Sequence, residues 1–241
     1  MTDGPVGVGS GLGESVGGGM PAGLLVQPTL LGWGDPAYDD TFTGLTRIEL
    51  GRGAWLEHQP AWVSGHDELF ARLLDEARWE AGRRPMYDRM VAVPRLVSAA
   101  PTSGPTADLL GGMADRLSRH YGVVMSQITL ALYRSGADSV AWHGDRVARE
   151  RLVSLMATVS LGSPRPFRLR PTGGGGSRGL ILGPGDLVVM GGTCQRTWQH
   201  AVPKVASAGP RIVVMFRPDW GRADPLDPPA PPGKEVAAAL S

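Results

Sequence analysis

Gln127-Ile128-Thr129-Leu130-Ala131-Leu132-Tyr133 is the stretch at which the chain changes period. Ile128, Leu130 and Leu132 alternate with Thr129 and Ala131, the two-residue repeat of a strand with two distinct faces. Short apolar runs then recur at residues 152–161, 167–169, 180–182, 187–190 and 212–216. Gly173-Gly174-Gly175-Gly176, Gly183-Pro184-Gly185 and Gly209-Pro210 separate them, and such pairs are turn and loop signals. Short strands with this punctuation predict an antiparallel jelly roll, two sheets facing each other across a pocket. The glycine run is read as a hairpin loop and not as a phosphate cradle, because neither a Lys-Ser/Thr pair nor a helical pattern follows it.

Upstream the period is helical. Residues 64–79 read as a helix capped by Ser64, with Asp67 in the first turn and Phe70, Leu73, Leu74 and Ala77 on one face. Residues 105–121 read as a second, with Leu109, Leu110, Met113, Leu117 and Tyr121 aligned and Gly111-Gly112 weakening its middle. The expected class is α+β, mainly β: a double-stranded β-helix supported by N-terminal helices. Residues 21–220 are expected to form the domain. Residues 1–20, where eight glycines lose too much backbone entropy to order unaided, are expected to be a disordered tail. Residues 221–241 form a Pro-rich tail, expected to be extended.

Chemistry enters at His143-Gly144-Asp145. In a strand, residues two apart share a face, so His143 and Asp145 can grip one ion while Gly144 points away. His200 would have to arrive from a second strand. Two imidazoles and a carboxylate are the set that holds a non-haem Fe(II) on one facet and leaves positions open. Arg211 and Arg217 follow on one further apolar strand, and their even spacing puts both guanidiniums on one side, a two-pronged partner for a carboxylate.

Tyr133 to Asp145, Val159-Ser160-Leu161-Gly162, Gly185 to Gly192, Trp198 to Pro203 and Arg211 to Arg217 together resemble the AlkB-type Fe(II)/2-oxoglutarate dioxygenases, in that family's order. Val93-Pro94-Arg95-Leu96 resembles a segment upstream of the core in the DNA-repair branch. The resemblance covers about half of the chain. It implies Fe(II) at His143, Asp145 and His200, and 2-oxoglutarate held by Arg211 with help from Tyr133 and Arg217. It implies oxidative dealkylation: 2-oxoglutarate is decarboxylated to succinate, an N-alkyl carbon is hydroxylated, and the product collapses to an aldehyde and the free base. A base in a duplex would have to be flipped out. Three positions depart from the family pattern. Ala131 and Val213 stand where amides usually assist the co-substrate, and Val147 stands where repair enzymes carry a second acid against the damaged base.

The 241 residues, 42% hydrophobic, suffice for one β-rich domain. No apolar run approaches the ~20 residues of a membrane span, and no basic start precedes an apolar stretch as in a secretory signal. Cys194 is the only cysteine, so no internal disulfide forms, and its expected role is that of a small buried hydrophobe. A cytoplasmic monomer is the expectation. Net charge is only +1, yet between Arg146 and Lys204 nine cations face two acids. That stretch either attracts a phosphate backbone or solvates strand edges. Trp142 and Trp198 either stack on a base or pack under a sheet. A nucleic-acid base is the expected substrate. Two alternatives remain: an oxygenase on this scaffold acting on a protein side chain or small molecule, and a binding module that has lost turnover.

Overall fold

A computed structural model describes residues 32–86, 89–144 and 151–219. The expected tails at 1–20 and 221–241, and Asp145, Arg146, Val147 and Arg149, lie outside the described residues. The chain runs through β1 (Ala37–Tyr38), β2 (Thr46–Gly51), β3 (Ala54–Gln59), β4 (Val63–Ser64), α1 (His66–Glu76), β5 (Glu80–Met86), β6 (Arg89–Ala99) and α2 (Pro105–Tyr121). It continues through β7 (Gln127–Tyr133), β8 (Val140–His143), β9 (Ser154–Gly162), β10 (Arg165–Pro171), β11 (Arg178–Leu182), β12 (Leu187–Gly192), α3 (Cys194–Thr197), β13 (Trp198–Val202) and β14 (Arg211–Arg217).

Among the described residues the strands form an eight-stranded sheet, β2-β3-β12-β9-β14-β7-β6-β5, a four-stranded sheet, β11-β10-β13-β8, and the small pair β1-β4. The pairings are antiparallel, giving the mainly β jelly roll with few helices that the period change predicts. The middle strands of the large sheet are buried on both faces, and the alternation along them sorts their side chains between two cores. Leu130 and Leu132 of β7, Ala157 and Val159 of β9 and Ile212 and Val214 of β14 join Leu69, Phe70 and Leu73 of α1 and Leu110, Met113 and Leu117 of α2. Each of the larger of these side chains, buried so completely, contributes about 1.5–3 kcal/mol. The opposite residues, Ala131, Tyr133, Met156 and Val213, face Phe167, Leu169 and Leu182 of the small sheet. That inner layer is where the pocket lies.

α2 spans the expected residues, and its doubtful Gly112 has a packing reason: a Cβ there would come 3.0 Å from the Tyr38 hydroxyl. α1 is shorter than expected. Ser64 is not its cap but belongs to β4, paired to β1, and Gly65 takes the cap position with φ 61°. A Cβ on Gly65 would meet the Gly34 carbonyl oxygen at 2.6 Å, so only glycine makes this turn. The strands before β7 carried no alternation that reading by period detected. β2 and β3 extend one edge of the large sheet and the β5–β6 hairpin the other. Among the described residues, no helix is long and apolar enough to cross a membrane.

A buried polar tie closes the β11–β12 turn. Asp186 accepts hydrogen bonds from His58 Nε2 (3.0 Å) and from the backbone amides of Ala61 (3.0 Å) and Gly183 (3.0 Å). Burial works to raise its pKa, but these three donors outweigh burial and hold the carboxyl below its ordinary value. A carboxyl depressed in the fold adds stability above its unfolded pKa of about 3.9, and that stability is lost as pH falls through the lower folded value. Asp186→Asn should therefore lower stability by about 2 kcal/mol at pH 7 and flatten the fall below pH ~4. Thermal unfolding followed against pH checks this; parallel curves for the two proteins would contradict it.

Candidate metal and co-substrate site

β13 lies between β10 and β8, with His200 opposite His143 on one side and Leu169 on the other. The two imidazoles stand with ring centroids 4.2 Å apart, and Phe167 packs against His200 at 5.6 Å. His143 Nδ1 lies 2.9 Å from the Ala141 carbonyl oxygen and 3.1 Å from that of His200. Both are acceptors only, so Nδ1 carries a proton, which leaves Nε2 as the nitrogen for a metal ion. Burial first, then the neighbouring His143 and Arg95, hold the His200 imidazole neutral to well below the usual histidine range. The His200 ring does not have to shed a proton before it can bind a cation at neutral pH. β8 ends at His143, and Asp145 begins the undescribed stretch just after Gly144, so the structure brings together two of the three expected ligands.

Behind the histidines, the inner face of β7 and β14 presents a ladder of cross-strand pairs: Tyr133 with Arg211, Ala131 with Val213, Thr129 with Met215, Gln127 with Arg217. The spacing of Arg211 and Arg217 thus places both on the face that lines the cleft. Two of the three departures from the family pattern, Ala131 and Val213, form one apolar rung between them. Arg211 is 2% exposed. Its Nη2 donates to Ser160 Oγ at 2.8 Å, while its Nε and Nη1 are buried with no hydrogen-bond partner among the described residues. Burial pushes its pKa down to about 10, which still leaves it charged at neutral pH. Leaving charged donors buried without acceptors is costly, and a carboxylate delivered along the cleft would satisfy them. Arg217 Nη2 donates to Thr129 Oγ1 at 3.1 Å.

Arg95 was part of a recognised tetrapeptide but had no assigned role. Its Nη1 donates to the Tyr133 hydroxyl at 2.9 Å. The guanidinium carbons of Arg95, Arg165 and Arg211 stand 5.9, 5.6 and 5.4 Å from the Tyr133 ring centroid. Three cations around one phenol make this end of the pocket strongly electropositive, suited to a dianion. Arg165 corrects an expectation: counted among the basic surface residues, it is fully buried, on the inner face with Phe167 and Leu169. Two-residue parity along β10 is the signal that places it there. The tryptophans divide. Trp198 is buried in the inner core, whereas Trp142 is half-buried at the cleft with the Arg170 guanidinium 4.3 Å above its ring. Cys194 is buried as expected, and burial pushes its thiol up to about 12.

The cleft holds about 1510 Å³ and runs from Arg211 and Tyr133 past both histidines to the loop before α2. A small dicarboxylate occupies only part of that volume, and the rest is open beside His143.

A jelly roll with a histidine pair in its inner pocket and a buried, unsatisfied arginine behind it is an arrangement that can take a metal ion and an anionic co-substrate. Residues 99–217 match the 2OG-Fe(II) oxygenase superfamily. The human alpha-ketoglutarate-dependent dioxygenase alkB homolog 3 is 31% identical over 119 residues, 45% of this chain and 42% of that protein. The DNA oxidative demethylase ALKBH2 of Arabidopsis thaliana is 28% identical over 218 residues, 70% of this chain and 68% of that protein. A prolyl-4-hydroxylase structure from Pseudomonas putida superposes with a TM-score of 0.46 at 16% identity, covering 68% of this chain and 92% of that one. Over the matched half, the chain is similar to the AlkB-like 2OG-Fe(II) oxygenases. It spans less than half the length of the human relative. Fe(II) and 2-oxoglutarate are the family's cofactor and co-substrate. The residues present fit both: the facing imidazoles of His143 and His200 for the metal, and the buried Arg211 donors for the carboxylate.

Proposed function

We propose that this protein is an Fe(II)- and 2-oxoglutarate-dependent dioxygenase that removes alkyl groups from nucleic-acid bases. The observation that carries the reading is Arg211, buried with two donors unsatisfied in the pocket that opens onto His143 and His200. His143, His200 and Asp145 would hold the iron. Arg211 grips one carboxylate of 2-oxoglutarate, with Tyr133 and Arg217 lining the same face. Iron held there would supply the activation of dioxygen, one oxygen atom of which would end in succinate and the other on the N-alkyl carbon. The chain's own part is to position. His143 is oriented by two carbonyls, Arg95 fixes the Tyr133 hydroxyl, and the apolar Ala131–Val213 rung with Met156 and Phe167 keeps water from the co-substrate. The hydroxylated alkyl group then leaves as an aldehyde when its C–N bond breaks, and the base regains a proton.

The nucleic-acid substrate is supported by the names of the relatives and by exposed positive charge on the small sheet and its flanking loops. Arg168, Arg178, Arg196 and Lys204 are exposed, and Arg170, donating to Gln199 Oε1 at 3.0 Å, lies on Trp142. Affinity for single-stranded DNA should fall with salt at a log–log slope of roughly −0.7 per phosphate neutralised. Arg168→Ala with Arg178→Ala should shallow the slope by about 1.4 if each meets a phosphate. The pair should leave uncoupled 2-oxoglutarate decarboxylation unchanged. Salt-insensitive binding, together with turnover of a peptide or small molecule in a screen against methylated DNA, RNA and peptides, would move the substrate to the alternative class.

A further inference from the structure

β8 has only four residues and forms one edge of the small sheet, so its ladder to β13 is short. That ladder is also irregular. His200 pairs with His143 and Val202 with Val140, so two steps along β13 answer three along β8. A bulged, short edge strand specifies its own register weakly, and a one-residue slip turns every side chain to the opposite face. A slip of β8 would point His143 away from His200. Something other than the strand pairing holds the register.

Arg165 is placed to do so. It is 0% exposed and opens β10 at the end of the small sheet remote from the histidines. Its Nη1 donates to the Ser135 carbonyl at 3.0 Å, and its Nη2 to the carbonyls of Asp138 and Pro203, each at 2.8 Å. Asp138 lies two residues before β8, and Pro203 is the first residue after β13. One guanidinium therefore fastens the entry of the strand that carries His143 to the exit of the strand that carries His200. The loop it grips is itself stiff. The Asp138 carboxylate accepts from the Arg134 backbone amide, Nε and Nη2 at 2.8, 2.8 and 2.9 Å, and the Val205 amide donates to the Gly136 carbonyl at 2.9 Å. A buried planar fork reaching three carbonyls on two segments is a geometry that the ammonium of lysine does not reproduce.

We infer that Arg165 is a positioning residue for the metal centre: by clamping Asp138 to Pro203 it sets the β8–β13 register that brings His143 opposite His200. The inference rests on the reading of these histidines as metal ligands. The experiment compares Arg165→Met and Arg165→Lys with Leu117→Ala, a cavity in the α2 core on the far side of the large sheet. Two quantities are read on the full-length protein: Co(II) affinity by calorimetry, and the His143 Nδ1–H signal in ¹⁵N-histidine spectra of the metal-free protein. Arg165→Met should lose tenfold or more in Co(II) affinity, with Arg165→Lys intermediate, and the His143 signal should shift or broaden in both. Leu117→Ala, with a comparable fall in Tm, should change neither. If the methionine variant does not fold, the lysine variant carries the comparison. Co(II) affinity and a His143 signal that match those of Leu117→Ala would overturn the clamp alone. Failure of the unaltered chain to bind Co(II) would overturn the metal centre and the clamp with it.

Discussion

His143→Ala and His200→Ala proteins should decarboxylate 2-oxoglutarate no faster than the metal-free chain, while their far-UV circular dichroism stays that of the parent. A facial site with three protein ligands has none to spare, so loss of either imidazole removes the cation and not merely some rate. The fold should tolerate both changes, because the backbone pairing of β13 with β8 and β10 does not depend on the rings. The His200 carbonyl that orients His143 also survives His200→Ala. Turnover near the parent's in either variant would remove these residues from the reaction.

Arg211→Met should separate binding from stability. The parent side chain is a buried cation with two donors unsatisfied, and replacing such a charge by an apolar chain of similar length is neutral or stabilising. The variant should therefore keep or raise its Tm without co-substrate. Each charge-assisted hydrogen bond lost contributes about 1.5–3 kcal/mol, so loss of one to two of them should lower 2-oxoglutarate affinity between about tenfold and roughly twenty-thousandfold. Arg211→Lys keeps the charge and loses the fork, and should fall between the two. A variant that is both destabilised and unchanged in its Michaelis constant for 2-oxoglutarate would show that Arg211 serves the fold instead.

Much of this site was legible because strand parity is a strict rule. His143 at a strand end, His200 from a neighbouring strand, and Arg211 with Arg217 on one face all follow from a period of two. Parity was applied less well to β10, where Arg165, Phe167 and Leu169 share a face and one residue of the three was still counted as surface. A cation is so seldom fully buried that its type outweighed its position. Arg95 and Ser160 were visible only as letters in short segments, since their partners, Tyr133 and Arg211, lie 38 and 51 residues away along the chain. The first strands escaped for another reason. β3 reads Ala-Trp-Leu-Glu-His-Gln, and its Glu57 and Gln59 are buried, so its polar pattern does not report its environment. Ser64 failed as a cap because pairing with β1 claimed it and left the turn to Gly65.

The most direct test of the account is an anaerobic titration of the full-length chain with Fe(II) in the presence of 2-oxoglutarate, followed in the visible. Chelation of the iron by the co-substrate gives a weak charge-transfer band, and that band should saturate at about one Fe(II) per chain. It should be absent from His200→Ala and require far more 2-oxoglutarate in Arg211→Met. A parent chain that binds neither Fe(II) nor 2-oxoglutarate, and shows no band at saturating amounts of both, would contradict the account at its centre.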